Sequence, residues 1–459
     1  MGWKPKTTEC AIGIIGPSWS GKTVFLTSLI NHLEHHEPSL FPLGKKGMRI
    51  RRFTPLPNHP SWPPFPYAEF RNRIVNRLWP SKTTDRAEFS CRFERTDWKF
   101  TDAIMRFYDL PGERINDIAM LDRNSDTYET WSDQVLQRIR NDIEYHQQFE
   151  EFFKRADDPQ NDETSLLRAY RLGMAHLWLA FKPYLTPSTF QLDLQGKPCR
   201  GTDPQVIASE RHAGLSPSEE FAPLPLDARR KHPNLVKLFS KRFDRYRDTV
   251  VSPWVDALKS CHGLVVMVDV LEILAAGHQM FNDVHRLLGD LFHTLRLNNN
   301  PLKRVGNALS NVFLPHSMRP SWVSRIAFVA PKADRAHPQD RMNLGRLLDE
   351  LTRKFTDDLD LDGIKCKTFR IASVVSTELH PGAVGERKML GSTLYDAEGK
   401  RLPPGEKHVF SVSPVPTNWP SRWNEGDYVF PEVYPDIPPL LAAVPQQEGL
   451  NELFEYLCW

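Results

Sequence analysis

Residues 11–23 read Ala-Ile-Gly-Ile-Ile-Gly-Pro-Ser-Trp-Ser-Gly-Lys-Thr, and this stretch decides the fold. The first five residues form an apolar run short enough for one buried strand, and G-x-x-x-x-G-K-T follows without a break. From Val24 to Leu33, the apolar residues Phe25, Leu26, Leu29, Ile30 and Leu33 recur with helical spacing. Strand, glycine-rich loop and helix in that order predict a phosphate-binding loop. Gly16 and Gly21 let the backbone turn several N–H groups toward one anion, and the helix adds its partly positive N-terminus. The candidate nucleotide contacts are Gly16, Ser18, Trp19, Ser20, Gly21, Lys22, Thr23 and Val24. Lys22 is suited to neutralise β- and γ-phosphates, and the Thr23 hydroxyl to ligate Mg²⁺. The flanking strand and helix separate this loop from a chance match on a Gly/Ser turn.

Three further strand ends follow in order. Residues 103–112, Ala-Ile-Met-Arg-Phe-Tyr-Asp-Leu-Pro-Gly, predict a strand closing on D-x-x-G. Asp109 at such an end can hold Mg²⁺ through a water, and the N–H of Gly112 can meet a γ-phosphate. After the continuous apolar run Gly263 to Val268 comes Arg325-Ile-Ala-Phe-Val-Ala-Pro-Lys-Ala-Asp334, a strand closing on P-K-A-D. A carboxylate at Asp334 accepts hydrogen bonds from guanine N1–H and the exocyclic amine, which adenine does not supply, while the stem of Lys332 lies along the base. Pro331 stands where Asn or Thr would tie this loop to the phosphate loop, so that tie is lost or replaced. The bland alternative for Lys332 and Asp334 is an exposed turn before a helix. Lys367 to Val374 then predicts a strand leading to Ala372-Ser373-Val374, whose backbone N–H groups at Ser373 and Val374 would face guanine O6.

Ahead of these, Tyr67 to Leu78 has helical spacing and runs into Trp79-Pro-Ser-Lys-Thr-Thr84, just before a strand over Arg86 to Arg95. A threonine there completes a Mg²⁺ shell, and by position either Thr83 or Thr84 could do so. The proline-rich segment from Pro38 to Pro66 reads as extended surface loop. No strong catalyst of hydrolysis stands in the sequence. The residue after D-x-x-G is Glu113, whose carboxylate is poorly suited to face phosphate oxygens. Arg114 could neutralise charge in cis, a partner's arginine could do so in trans, or Arg114 could be an exposed loop residue.

Composition bounds the rest. The chain has 459 residues, enough for two or three domains, and its net charge of +2 gives no global field for nucleic acid. The six cysteines are scattered without C-x-x-C spacing, as expected of free thiols in a reducing compartment. An N-terminal apolar signal core and an apolar run long enough to span a bilayer are both missing from the sequence, so a cytoplasmic protein is expected. The 16 histidines show no ligand spacing, and no metal beyond nucleotide-bound Mg²⁺ is expected.

The chain resembles the YcjX-like stress-protein family of bacterial P-loop GTPases. The residues that carry the resemblance are Gly16 to Asn31 (G-P-S-W-S-G-K-T-V-F-L-T-S-L-I-N), Leu78 to Thr83 (L-W-P-S-K-T), Asp109 to Glu113 (D-L-P-G-E) and Lys332 to Asp334 (K-A-D). The resemblance implies GTP/GDP and Mg²⁺ as cofactors, slow hydrolysis, a cytoplasmic setting and a role in bacterial stress responses. Its W-P-x-x-T pattern points to Thr83, which joins Thr23 and Asp109 as metal ligands and Lys22, Gly112 and Glu113 as the catalytic set. Pro331 departs from the family's usual Thr, and Trp19 makes the loop bulkier.

The fold expected is α/β, a mostly parallel P-loop sheet flanked by helices. Residues 1–124 form the first half of the nucleotide domain, 125–258 a helical insertion, 259–380 the second half, and 381–459 an extension with a β-hairpin turning at Glu398-Gly399. Within the insertion, helices are predicted over Trp131 to Arg155, Leu166 to Tyr184 and Leu235 to Leu258. Expected partners are guanine nucleotide and a protein effector or regulator at the switches or the insertion, which leaves room for a peripheral membrane-protein partner. The competing classes are a P-loop ATPase and a scaffold that keeps GDP as a structural ligand.

Overall fold

The computed structural model describes residues 6–17, 20–44, 48–60, 62–81, 86–96, 101–121, 127–158, 160, 162–180, 182–192, 202–297, 323–361, 363–380, 386–396, 398–437 and 444–458. Ser18, Trp19, Thr83 and Thr84 lie outside these residues. The chain divides into two compact units, one of Met1–Pro111, Ser260–Asn282 and Pro320–Trp459, the other of Gly112–Lys259 and Asp283–Arg319.

The first unit is built on a seven-stranded sheet: β1 (Lys6–Ile15), β2 (Ile50–Leu56), β3 (Ala87–Arg95), β4 (Thr101–Asp109), β5 (Gly263–Met267), β6 (Arg325–Ala330) and β7 (Lys365–Arg370). Their spatial order is β2-β3-β4-β1-β5-β6-β7. β4, β1, β5, β6 and β7 run parallel, while β3 is antiparallel to both β2 and β4. The architecture is thus the expected mostly parallel α/β sheet. Along β5 and β6, Leu264, Val265, Val266, Ile326, Ala327 and Phe328 are all buried, so both sheet faces are covered. Continuous apolar runs are what such strands require.

One face carries helix α1 (Lys22–Glu34) and the C-terminal helix Leu450–Cys458. Phe25, Leu29 and Leu33 of α1 join Leu453, Phe454 and Leu457 over Ile12, Ile14, Val265 and Ala327. Each such side chain, fully withdrawn from water, contributes roughly 1.5–3 kcal/mol. The long helix Arg341–Leu361 lies against β6 and β7.

Two expectations about this unit need correction. The proline-rich segment is not all loop, because it contains β2, with Pro55 opposite Cys91 of β3. An edge strand tolerates proline because the missing N–H can fall on its unpaired side. Second, the helix expected to reach Leu78 stops earlier, as α2 (Tyr67–Val75), with Arg77 in the left-handed region at φ 57°. The C-terminal hairpin turns where expected: Tyr395 bridges Arg401, and the Gly399 N–H donates to the Asp396 carbonyl. This turn lies in the connection between β9 (Lys388–Gly391) and β10 (His408–Ser411), which with β8 (Thr377–Leu379) form a small antiparallel sheet.

The second unit is helical. The single helix expected over residues 131–155 is three: α3 (Tyr128–Asn141), α4 (Ile143–Gln148) and α5 (Glu150–Asp157). The break falls where the Asp142 carboxylate accepts from the N–H groups of Glu144 and Tyr145, a cap that competes with helix continuation. Next come α6 (Glu163–Leu179), α7 (Pro204–Glu210), α8 (Leu226–Lys231) and α9 (Pro233–Tyr246). The helix expected to run on to Leu258 passes instead through a π turn at Arg247–Val251 into α10 (Ser252–Lys259). Pro253 offers no N–H to the preceding turn, and a π turn accommodates that loss. Trp131 packs 5.4 Å from Phe221 and 5.3 Å from Phe243, forming this unit's aromatic centre.

Candidate functional site

β1 has β4 on one side and β5 on the other, and all five parallel strands end on the same edge of the sheet. Gly16 follows β1, Asp109 ends β4, Asp269 follows β5, Pro331 follows β6 and Ala372 follows β7. Ligands of open α/β sheets sit at such an edge, where the strand order reverses.

At the phosphate loop, Gly21 is left-handed at φ 85° and ψ 15°, and α1 starts directly after it. No side chain caps this helix, and its first turn holds no acidic residue. Four N–H groups open such a helix without intrahelical partners, and an anion is their natural complement. The Lys22 ammonium donates to the Gly16 carbonyl at 2.7 Å and the Pro17 carbonyl at 2.9 Å, which holds it against the loop. A Cβ on Gly16 would lie 2.3 Å from the Met267 carbonyl oxygen and 2.8 Å from Ser20 Oγ. Only glycine therefore fits there. Ser20 Oγ is buried without a hydrogen-bond partner, an orphaned polar atom inside the cradle. These features fit a phosphate group. Asp109 is fully buried opposite Ile14 of β1, and Thr23 is the second residue of α1, so a hydroxyl and a carboxylate, residue types that can ligate Mg²⁺, belong to the two elements beside the loop.

The loop after β6 is not an exposed turn. Asp334 is buried and its carboxylate accepts from the Ser376 N–H at 2.8 Å, while Thr377 Oγ1 donates to the Asp334 carbonyl at 2.5 Å. Burial pushes the Asp334 carboxyl up, opposed by the Ser376 N–H and the charges of Arg335 and Arg341. The Ala333 N–H donates to the Ile371 carbonyl at 2.9 Å, so the loops after β6 and β7 are laced together. Ser28 of α1 donates to the Ser373 carbonyl at 2.5 Å, and Val24 packs on the cluster containing Val374. Phosphate-loop helix and base loops are thus one packed body. Pro331 takes part by proximity, its Cβ 4.0 Å from where a Cβ on Gly21 would stand. Glu448 of the C-terminal extension bridges Ala372 and pairs with Arg341 at 2.8 Å, bracing the same loops from outside.

Lys332 is left-handed at φ 59°, and its ammonium lies 2.6 Å from Asp269 Oδ2. Asp269 did not stand out in the sequence, although an Asp directly after the apolar run Gly263 to Val268 was the available signal.

Gly112 and Glu113 open the second unit as the start of a 3-10 helix, Gly112–Leu121. Both are buried, and so is Arg114. The Arg114 guanidinium donates to Ser188 Oγ at 3.0 Å and Tyr246 Oη at 2.8 Å, and lies 3.9 Å from the Asp117 carboxylate. Arg114 is therefore not an exposed loop arginine. It belongs to a buried polar cluster in which Asp117 also accepts from Thr186 Oγ1, the Ser188 N–H and Tyr246 Oη.

Comparison with known proteins agrees with this geometry. Residues 10–453 match the YcjX-like family, DUF463. Over 451 residues, covering 93% of this chain and 90% of the relative, the sequence is 24% identical to a protein of Escherichia coli (strain K12) named Ras-like GTPase YcjX. None of the described helices is long and apolar enough to cross a membrane. With nearly the whole sequence matched and a parallel sheet carrying the phosphate loop, the chain belongs to the YcjX-like family.

Proposed function

We propose that this protein binds guanine nucleotides and hydrolyses GTP slowly to GDP and phosphate in the presence of Mg²⁺, acting as a nucleotide-controlled switch. The observation that carries the reading is the uncapped, acid-free start of α1 under the Lys22 ammonium, at the same sheet edge as the buried Asp334 carboxylate. The relative's name points the same way. In this reading Lys22 leaves the carbonyls of Gly16 and Pro17 for the β- and γ-phosphates. The first-turn N–H groups of α1 bind phosphate oxygens. Thr23, Thr83 and Asp109 hold Mg²⁺, which when bound neutralises charge on the phosphates. Asp334 reads the guanine edge with Lys332 beside the base plane, and the N–H groups of Ser373 and Val374 face O6. Gly112 and Glu113 order with the γ-phosphate. Turnover is slow because Glu113 offers no water-orienting amide and Arg114 is held by Tyr246 and Ser188. A cytoplasmic stress-response role and an effector or regulator protein as partner belong to the same reading.

The test is calorimetric titration of the full chain with GDP, GTP, ADP and ATP, with and without Mg²⁺. Guanine nucleotides are expected to bind and adenine nucleotides to fail. Equal affinity for ATP would replace the GTPase reading by an ATPase one. GDP that binds without any measurable GTP turnover would make the nucleotide a structural ligand.

A further inference from the structure

The one unusual backbone feature of the base loop is Lys332. Among the described residues, only Arg77 and Lys332 combine a side chain with a left-handed φ. That conformation costs an ordinary residue about 1–2 kcal/mol, so it persists where surrounding contacts over-determine it. For Lys332 the contact is electrostatic. Its ammonium lies 2.6 Å from Asp269 Oδ2, and the two side chains are only 25% and 9% exposed. The other oxygen, Oδ1, accepts from the Glu272 N–H at 3.1 Å and caps helix α11 (Val270–Ala276). Asp269 is thus fixed by the end of β5 and the start of α11 before it meets Lys332.

Resting on the guanine-nucleotide reading above, we propose that Asp269 is the positioning residue of the base site. It grips Lys332 across the ends of β5 and β6 and so replaces the tie that Pro331 cannot make. An Asn or Thr at position 331 would anchor the loop through its own side chain. A proline has none to give, and the anchoring moves one residue on, to a charged pair. The pair also fixes the direction of the Lys332 stem, which must lie flat along a base for its methylenes to pack there. Because the carboxylate already sits in a rigid corner, little freedom is lost when the pair forms. The pair is only partly exposed, so water and salt screen it less than a surface ion pair.

A simple helix cap makes a different prediction, since Asn and Ser cap as well as Asp but carry no charge. Asp269→Asn and Asp269→Ser are therefore the informative variants, measured in the full chain by release of fluorescently labelled GDP and by equilibrium titration. Both should keep the parent's melting temperature and both should weaken GDP about tenfold, mostly through faster release, as loss of one charge-assisted contact implies. Lys332→Ala should weaken GDP similarly, and Asp269→Asn added to it should do nothing more, because the two residues act as one unit. GDP affinity within twofold of the parent in both Asp269 variants overturns the assignment while leaving the guanine reading intact. So does a double variant whose losses multiply. If the parent itself shows no preference for GDP over ADP, the guanine reading falls and takes this assignment with it.

Discussion

At the scale of single residues, the proposed reading assigns opposite halves of a nucleotide to two side chains. Lys22 is the only full positive charge that the phosphate-loop motif itself supplies, and its amine already bonds two loop carbonyls. Replacing it by alanine leaves the loop N–H groups to face a triphosphate unaided. Lys22→Ala is expected to weaken GTP by about 100-fold or more, since hydrogen bonds to charged groups contribute about 1.5–3 kcal/mol each. Titration with GTP reads this directly, and parental affinity would remove Lys22 from the site. At the other end, the Asp334 carboxylate offers only acceptors, whereas an amide adds a donor. Asp334→Asn should lose GTP and gain xanthosine triphosphate, whose base presents a carbonyl where guanine has an amine. The Ser376 N–H that Asp334 accepts can also be met by the Asn oxygen, so the loop should keep its shape. A variant that still prefers GTP would place the base elsewhere.

At the scale of elements, two buried groups make stability predictions. In the helical unit, Arg114 meets a fully buried Asp117 through a cluster that joins the 3-10 helix Gly112–Leu121 to α9 by way of Tyr246. Arg114→Met strands the carboxylate without its cation, a change of about 3 kcal/mol in unfolding free energy. Urea unfolding measures it. Unchanged stability with a large loss of GTP turnover would assign Arg114 to chemistry instead of packing. In α1, His32 is fully buried and stacked 5.0 Å from Phe41, with neither ring nitrogen hydrogen-bonded. Burial, with a smaller contribution from His36, lowers its pKa from 6.5 to about 4. Between those values the unfolded chain binds a proton that the folded one refuses, so stability falls as pH drops through the window. The loss from pH 7 to pH 5 is about 2 kcal/mol. His32→Phe should flatten that part of the melting profile, and an unchanged slope would mean that the ring titrates normally. Sequence reading reached these elements unevenly. Strands β5 and β6 were legible because burial on both faces demands unbroken apolar runs. The helix breaks at Asp142 and ahead of Pro253 were not, because amphipathic spacing runs on across a cap and a π turn alike. The role of Asp269 was invisible for another reason: it depends on strand order and on a left-handed φ, neither of which a residue pattern encodes.

At the scale of the whole molecule, the division of the chain falls between Pro111 and Gly112, inside the D-L-P-G motif itself. Asp109 ends a strand of the sheet unit, while Gly112 and Glu113 are already the first turn of the helical unit. Leu110 and Pro111 stand between these two positions in the sequence. Leu110 is moreover bonded back to the Ile14 carbonyl at 3.1 Å. Any ordering of Gly112 by a γ-phosphate is therefore expected to reach the helical unit directly. Within that unit the 3-10 helix Gly112–Leu121 is bound through Asp117 to the segment around Thr186 and Ser188 and to Tyr246 at the end of α9. Tyr246 packs 5.5 Å from Phe221, Phe221 packs 5.4 Å from Trp131, and Trp131 belongs to α3. A shift at Gly112 can thus reach α3 through side chains that are close-packed and slow to yield independently. Hydrogen exchange of the GDP form and of a form loaded with a non-hydrolysable GTP analogue should differ in α3 to α5, over Tyr128–Asp157, and not only in the D-L-P-G motif. Identical exchange in that segment would make the helical unit a rigid scaffold, and the surface that responds to nucleotide would have to be sought within the sheet unit alone.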